Sequence, residues 1–360
     1  MAEHRPVWRA SCFRRAVHAG ALAAAVLCGC AVSGRPGAQA FSPQVVAATQ
    51  GVLPSPRRVL TLEAPDAPGR PAHVSSASGI VRAGHWIHVV ADDSLFLATF
   101  PAEGDAPGRL VRLFPGTLPE APKARKALKP DLEALCLLEG VPEAPHGAVL
   151  AVPSGSTPER RRGALVPLEA DGGLGTRVRE VDFAPLYARL ARELGTVNVE
   201  GAALTGGRLW LFNRGNDGEG QDAVVALDAG WVLRALGAGT PLPAEGVLTV
   251  RRWKLGRVGS VPLSFTDAAP LPDGRLVFTA AAEATQNAFL DGEVVGSALG
   301  VLSPEGKPLL LKHVTAKVKL EGVAAWPAPG GIHLLLVSDA DDPSVAAPLF
   351  ETLLTDANPG

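Results

Sequence analysis

Lys319-Leu320-Glu321-Gly322-Val323 is one copy of a phrase that runs through the whole chain. Asp131-Leu132-Glu133-Ala134-Leu135, Asn198-Val199-Glu200-Gly201-Ala202 and Phe265-Thr266-Asp267-Ala268-Ala269 repeat it. Ser76-Ala77-Ser78-Gly79-Ile80 is a weaker copy with a hydroxyl in place of the acid. Each copy sets one polar side chain ahead of a small residue and an apolar run. The aligned polar residues are Ser78, Glu133, Glu200, Asp267 and Glu321, spaced by roughly 55, 67, 67 and 54 residues. Recurrence at a long, near-constant spacing is the mark of a repeat architecture.

Working outward from each copy, short apolar runs alternate with turns, as expected of a chain with 40 Gly and 32 Pro in 360 residues. The third unit reads as strands over 199–204, 208–213, 223–227 and 247–253. The fourth reads as 268–271, 275–279, 300–302 and 309–312. The second shows 134–138, 148–153 and 164–168, and the first 79–82, 85–90 and 95–100. The last has 322–326, 332–337 and 348–353 but no fourth strand, whereas 57–62 is an orphan strand near the start of the body. A ring that borrows 57–62 to complete its last sheet removes exposed edges. The expected fold is an all-β, five-bladed β-propeller over residues 56–355, with a six-bladed propeller and a β-sandwich as alternatives. A short amphipathic helix after Asp182 (Pro185, then Leu186, Leu190 and Leu194, then Gly195) is expected to cover the rim near Glu200.

Residues 1–29 read as a signal peptide, with Arg5, Arg9, Arg14 and Arg15 ahead of a short apolar run over 19–27. Leu27-Cys28-Gly29-Cys30 resembles a bacterial lipobox, and on that resemblance Cys30 carries a lipid. Residues 30–55 then form a Pro-dotted tether. The expectation is an exported, membrane-anchored lipoprotein facing the periplasm or cell surface, touching membrane only through its N-terminal lipid. Cys136 is the one thiol left in the body, so no disulfide framework is expected, and its apolar setting reads as core. Net charge is −2 with 34 basic and 36 acidic residues. No basic stripe accompanies it, which excludes a nucleic-acid partner.

In a propeller the innermost strands line the central channel. Ser78, Glu133, Glu200, Asp267 and Glu321 at their heads are therefore expected to form a ring. Clustered carboxylates repel one another, and a hard cation with oxygen ligands relieves that repulsion. Ca²⁺ is the expected cofactor, because the set holds no Cys or His for Zn²⁺. The alternative is structural: the acids bond backbone amides of neighbouring blades. Loops after each second strand should open on the same face, bringing Asp92, Arg160, Asn213, Arg214, Glu283, Asp339 and Asp341 to a ligand.

The Glu-Gly and Glu-Ala repeats resemble phytase-like or esterase-like propeller families of exported bacterial proteins. The order Ser78, Glu133, Glu200, Asp267, Glu321 is similar to the calcium-activated nucleotidases (apyrases). That resemblance implies a central calcium held by one Ser or Glu from each blade, with Asp267 standing where a Ser is expected. Two functions follow as expectations. One is a surface-anchored binding or scaffold propeller with a central acidic, calcium-binding site; it would take a small anionic molecule, a sugar or a protein partner and act as a monomer. The other is a calcium-dependent hydrolase of phosphoryl or ester substrates. Neither a Gly-x-Ser-x-Gly elbow nor a phosphate-binding P-loop occurs in the chain.

Overall fold

The computed structural model describes residues 39–40, 51–215, 222–284, 292–339 and 342–355. Cys30, most of the tether and Asp341 lie outside the described residues. Five antiparallel sheets follow one another along the chain. Blade 1 holds Ala77–Ala83, Trp86–Ala91, Phe96–Pro101 and Arg109–Arg112. Blade 2 holds Leu132–Leu138, Ala148–Pro153, Arg162–Pro167 and Arg179–Asp182. Blade 3 holds Val199–Thr205, Arg208–Asn213, Asp222–Asp228 and Val247–Lys254. Blade 4 holds Ser264–Pro270, Leu276–Ala284, Glu293–Leu302 and Pro308–His313. Blade 5 holds Leu320–Ala328, Gly331–Ser338 and Pro348–Leu354. The first strand of each blade packs on the first strand of the next, and blade 5 returns to blade 1, so the sheets close a five-bladed ring.

The strand that closes it is Ser55–Val59, antiparallel to Pro348–Leu354 with Ser55 opposite Glu351 and Val59 opposite Pro348. It begins and ends slightly earlier than the expected 57–62. Leu60 and Leu62 leave the sheet and are buried between blades 5 and 1 instead. Each of the five apolar cores lies between two adjacent blades. This follows from strand alternation: successive side chains point to opposite sheet faces, and both faces of a blade are covered by neighbours. Between blades 3 and 4, Phe265 is edge-on to Phe212 and to Phe278, at 5.0 Å between centroids in each pair, an arrangement aromatic quadrupoles favour.

The expected helix is Ala184–Leu194, with Asp182 accepting from the Ala184 amide at 2.7 Å and Gly195 at φ +85° just past its end. Its buried face, Leu186, Tyr187 and Leu190, packs into the core between blades 2 and 3, together with Val197 and Val199 just ahead of Glu200. Tyr187 donates its hydroxyl to the Pro153 carbonyl at 2.6 Å and so props the loop that follows. A second helix, Pro122–Leu128, joins blades 1 and 2, and a third, Ala229–Ala238, is capped by Asp228. Among the described residues no helix is long and apolar enough to cross a membrane.

Candidate functional site

In every inner strand the pairing ladder skips one residue. The skipped residues are Ser78, Glu133, Glu200, Thr266 and Glu321. A β-bulge of this kind re-aims a side chain and bends the strand. Blade 4 therefore corrects the sequence alignment by one position: its bulged residue is Thr266, a hydroxyl, and not Asp267. Asp267 stands in the register that Gly79, Ala134, Gly201 and Gly322 occupy in the other blades.

Those glycines are needed because the inner strands approach one another backbone to backbone. A Cβ on Gly79 would lie 2.9 Å from the Leu135 amide nitrogen, and one on Gly201 would lie 2.8 Å from that of Ala268. At this crowded level Asp267 is fully buried and turned into the ring itself. Its Oδ2 accepts from the Val323 amide of blade 5 at 2.9 Å, while its Oδ1 is buried without a hydrogen-bond partner among the described residues. Burial raises its pKa well above the usual carboxylate range. Thr266 is buried too and donates its hydroxyl to the Leu320 carbonyl at 2.6 Å.

Above this level lies a cavity of about 520 Å³, and Ser78, Glu133, Glu200 and Glu321 line it together. Asp92, Arg160, Arg214, Glu283 and Asp339 from the second-strand ends and loops border the same space. Asn213 does not. Its side chain is used within blade 3, accepting from the Asn198 amide at 2.8 Å and donating to the Arg214 carbonyl. Asp267 does not line the cavity either.

The charges interlock. Arg214 contacts Glu283 at 2.7 Å and Glu200 at 3.6 Å, and Lys319 contacts Glu283 at 2.8 Å and Glu321 at 2.9 Å. The Glu200 and Glu321 contacts both use Oε1, and Asn198 donates to that same Glu200 oxygen at 2.6 Å. Burial pushes Glu283 up, but Arg214 and Lys319 outweigh it and hold the carboxyl below its ordinary range. Glu200 is pushed up to about 7 by burial, against the pull of Arg214. Glu321 is likewise raised by burial, against Lys319.

On the other side of the cavity Asp131 is a hub. It sits at φ +58°, a left-handed conformation that Asp tolerates better than most residues. Its carboxylate meets Lys129 at 2.9 Å and Arg160 at 2.8 Å, and accepts from Ser154 and Ser156. Despite burial, those cations keep it low. Lys129 also pairs with Asp92. Carboxylate oxygens of Asp92, Asp131 and Glu133 lie within 4.8 Å of one another. Glu133 alone of the three has no hydrogen bond or ion pair among the described residues. Burial, then Asp131 and Glu200, raise its pKa well above the ordinary value.

Sequence reasoning missed Lys129, Lys319 and Thr266, and it gave Asp131 and Asn198 no role. A signal was present. The residues two before each bulge are Ser76, Asp131, Asn198, Ser264 and Lys319, all polar, and all but Ser264 line the cavity or its ion pairs. Helix Pro122–Leu128, which brings Lys123 and Lys126 to the rim, was missed as well.

The chain belongs to a family of unknown function, DUF6929, whose model matches residues 73–354. No curated protein matches it. Similar solved structures include an endo-arabinase from Bacteroides thetaiotaomicron at 9% identity and TM-score 0.44, covering 83% of this chain and 97% of that one. A glutaminyl cyclase from Myxococcus xanthus is 10% identical at TM-score 0.42, covering 84% and 98%. A luciferin-regenerating enzyme is 12% identical at TM-score 0.39, covering 79% and 93%. A propeller family of uncharacterised proteins is thus the level at which the resemblance read from the repeats holds. The nucleotidase layout draws no support from these matches.

Proposed function

We propose that the cavity binds a divalent cation, Ca²⁺ before others, and through it a small anionic ligand. One observation carries the reading: the bulged residue of every inner strand is an oxygen donor, in the order Ser78, Glu133, Glu200, Thr266, Glu321. Ser78, Glu133, Glu200 and Glu321, the four of these that line the cavity, offer three carboxylates and a hydroxyl, which suit a hard cation that takes 6–8 oxygens in flexible geometry, with water completing the shell. Glu133, partner-free and held above its ordinary pKa, is the group such a cation would relieve most. Lys123, Lys126 and Arg160 on one wall favour an anion above the metal.

A second reading has its own observation. Arg214 and Lys319 already balance Glu200, Glu283 and Glu321. In that reading the mouth is metal-free and grips a sugar or a protein by its polar rim. Metal analysis after gentle purification, with melting in EDTA and in millimolar Ca²⁺, separates the two. Ca²⁺ that binds only the native state stabilises it by RT ln(1 + [Ca]/Kd), about 2.7 kcal/mol at a hundredfold excess over Kd. Glu133→Gln and Ser78→Ala should each weaken that effect. Equal melting temperatures and no bound metal would favour the metal-free rim. A panel of phosphoanhydride and ester substrates, assayed with and without EDTA, tests whether binding extends to hydrolysis.

A further inference from the structure

The inner strands start at the charged cavity and run away from it, and their far halves enclose a second cavity of about 420 Å³. Asp267 sits at the level between the two, its carboxyl bonded to the blade 5 backbone at the Val323 amide. The chemistry beyond it is opposite. Val81, Leu137, Ala202, Ala269, Ala325 and Trp326 are among the lining side chains, and Arg82 is the single charged residue there. Small residues, Ala202, Ala269, Ala324 and Ala325 among them, make up much of the wall. The volume lies within the roughly 300–1,000 Å³ of small-molecule sites, which are mostly apolar with a few placed polar groups.

Arg82 is that placed group. Its guanidinium lies 4.7 Å from the Trp326 ring centroid, held at the rim by cation–π attraction. Arg82 has no carboxylate partner among the described residues. Around the charged mouth, by contrast, Arg70, Arg125, Lys129, Arg160, Arg214 and Lys319 are all ion-paired.

We propose that this far funnel is a binding site for an anionic amphiphile of the fatty-acid class. The aliphatic chain would lie against the Ala202–Ala269–Ala325 wall, and the carboxylate would meet Arg82. The site is independent of the cation proposed for the opposite mouth.

The test is calorimetric titration of the full chain with dodecanoate, below its micelle concentration, and with dodecanol as the uncharged chain. Wild type, Arg82→Gln and Ala325→Leu would be compared. Ala325 is partly exposed at the funnel, so a larger side chain there fills the space without opening a core; thermal melting checks that both variants fold. The expected result is one dodecanoate per chain, bound about tenfold or more tighter than dodecanol, the range of a hydrogen bond to a charged group. Arg82→Gln should remove that preference, and Ala325→Leu should abolish binding of both probes. Absence of dodecanoate binding, binding unaffected by Ala325→Leu, or equal affinity for dodecanol and dodecanoate in wild type would each overturn the proposal. Dodecanoate held instead by the basic wall of the charged mouth would appear as the second of these outcomes.

Discussion

Asp267 shows how one residue changes role by moving one place along a strand. One step past the bulge it occupies the small-residue level and bonds the Val323 amide. Asp267→Asn keeps an acceptor and should leave both stability and Ca²⁺ affinity close to wild type. Asp267→Ala should cost about 1–3 kcal/mol, because the buried Val323 N–H loses its partner. Urea unfolding and calcium titration of the two variants check this; a large loss of Ca²⁺ affinity in Asp267→Asn would return Asp267 to the ligand set. Asp222 offers a pH test. It is fully buried, its Oδ1 accepts from the Gly215 and Phe265 amides, and burial pushes its pKa up to about 8. The folded chain therefore keeps a proton that the unfolded chain releases near pH 4, so this residue's contribution to stability falls as pH rises from about 4 to 8. Asp222→Asn should remove that slope, lying nearest wild type around pH 4.5 and exceeding it by a growing margin as pH rises to 8. Urea melts of both proteins at the two pH values decide it.

Among the elements, the inner and second strands were legible and the outer ones less so. Val199–Thr205 and Arg208–Asn213 announce themselves by apolar runs around the Gly206-Gly207 turn. The outer strands Arg109–Arg112 and Arg179–Asp182 are short and charged, so no alternation betrays them. Helix Pro122–Leu128 is rich in Lys, Arg and Ala and has no apolar stripe to read, though Pro stands at its start. The register of blade 4 was misread because Thr266 and Asp267 are both polar and adjacent. Aligning acid with acid is natural in sequence, yet which residue bulges is decided by pairing with the second strand. The closing strand was legible as an orphan, and its role can be tested. Deleting 55–59 leaves Pro348–Leu354 as an unpaired edge, which invites pairing between molecules. The variant should aggregate at concentrations where the parent remains monomeric by light scattering. A monomeric deletion variant of unchanged melting temperature would show that this strand is dispensable.

At the scale of the whole molecule, the ring presents two unlike mouths on one axis, one charged and one apolar. Whether the chain is held at a membrane turns on residues ahead of the ring. If Cys30 carries a lipid, Cys30→Ser should move the protein from the membrane fraction to the soluble one and remove acyl label. A variant that stays membrane-bound without label would refute that anchor. The closing strand has a further consequence, in time rather than in space. Ser55–Val59 pairs with Pro348–Leu354, so a strand made before the rest of the ring must wait for the strand that ends it. Contacts this distant in sequence slow folding, because loop closure is costly before it is rewarded. Until then the nascent chain carries unfinished edges that only its final blade can cover.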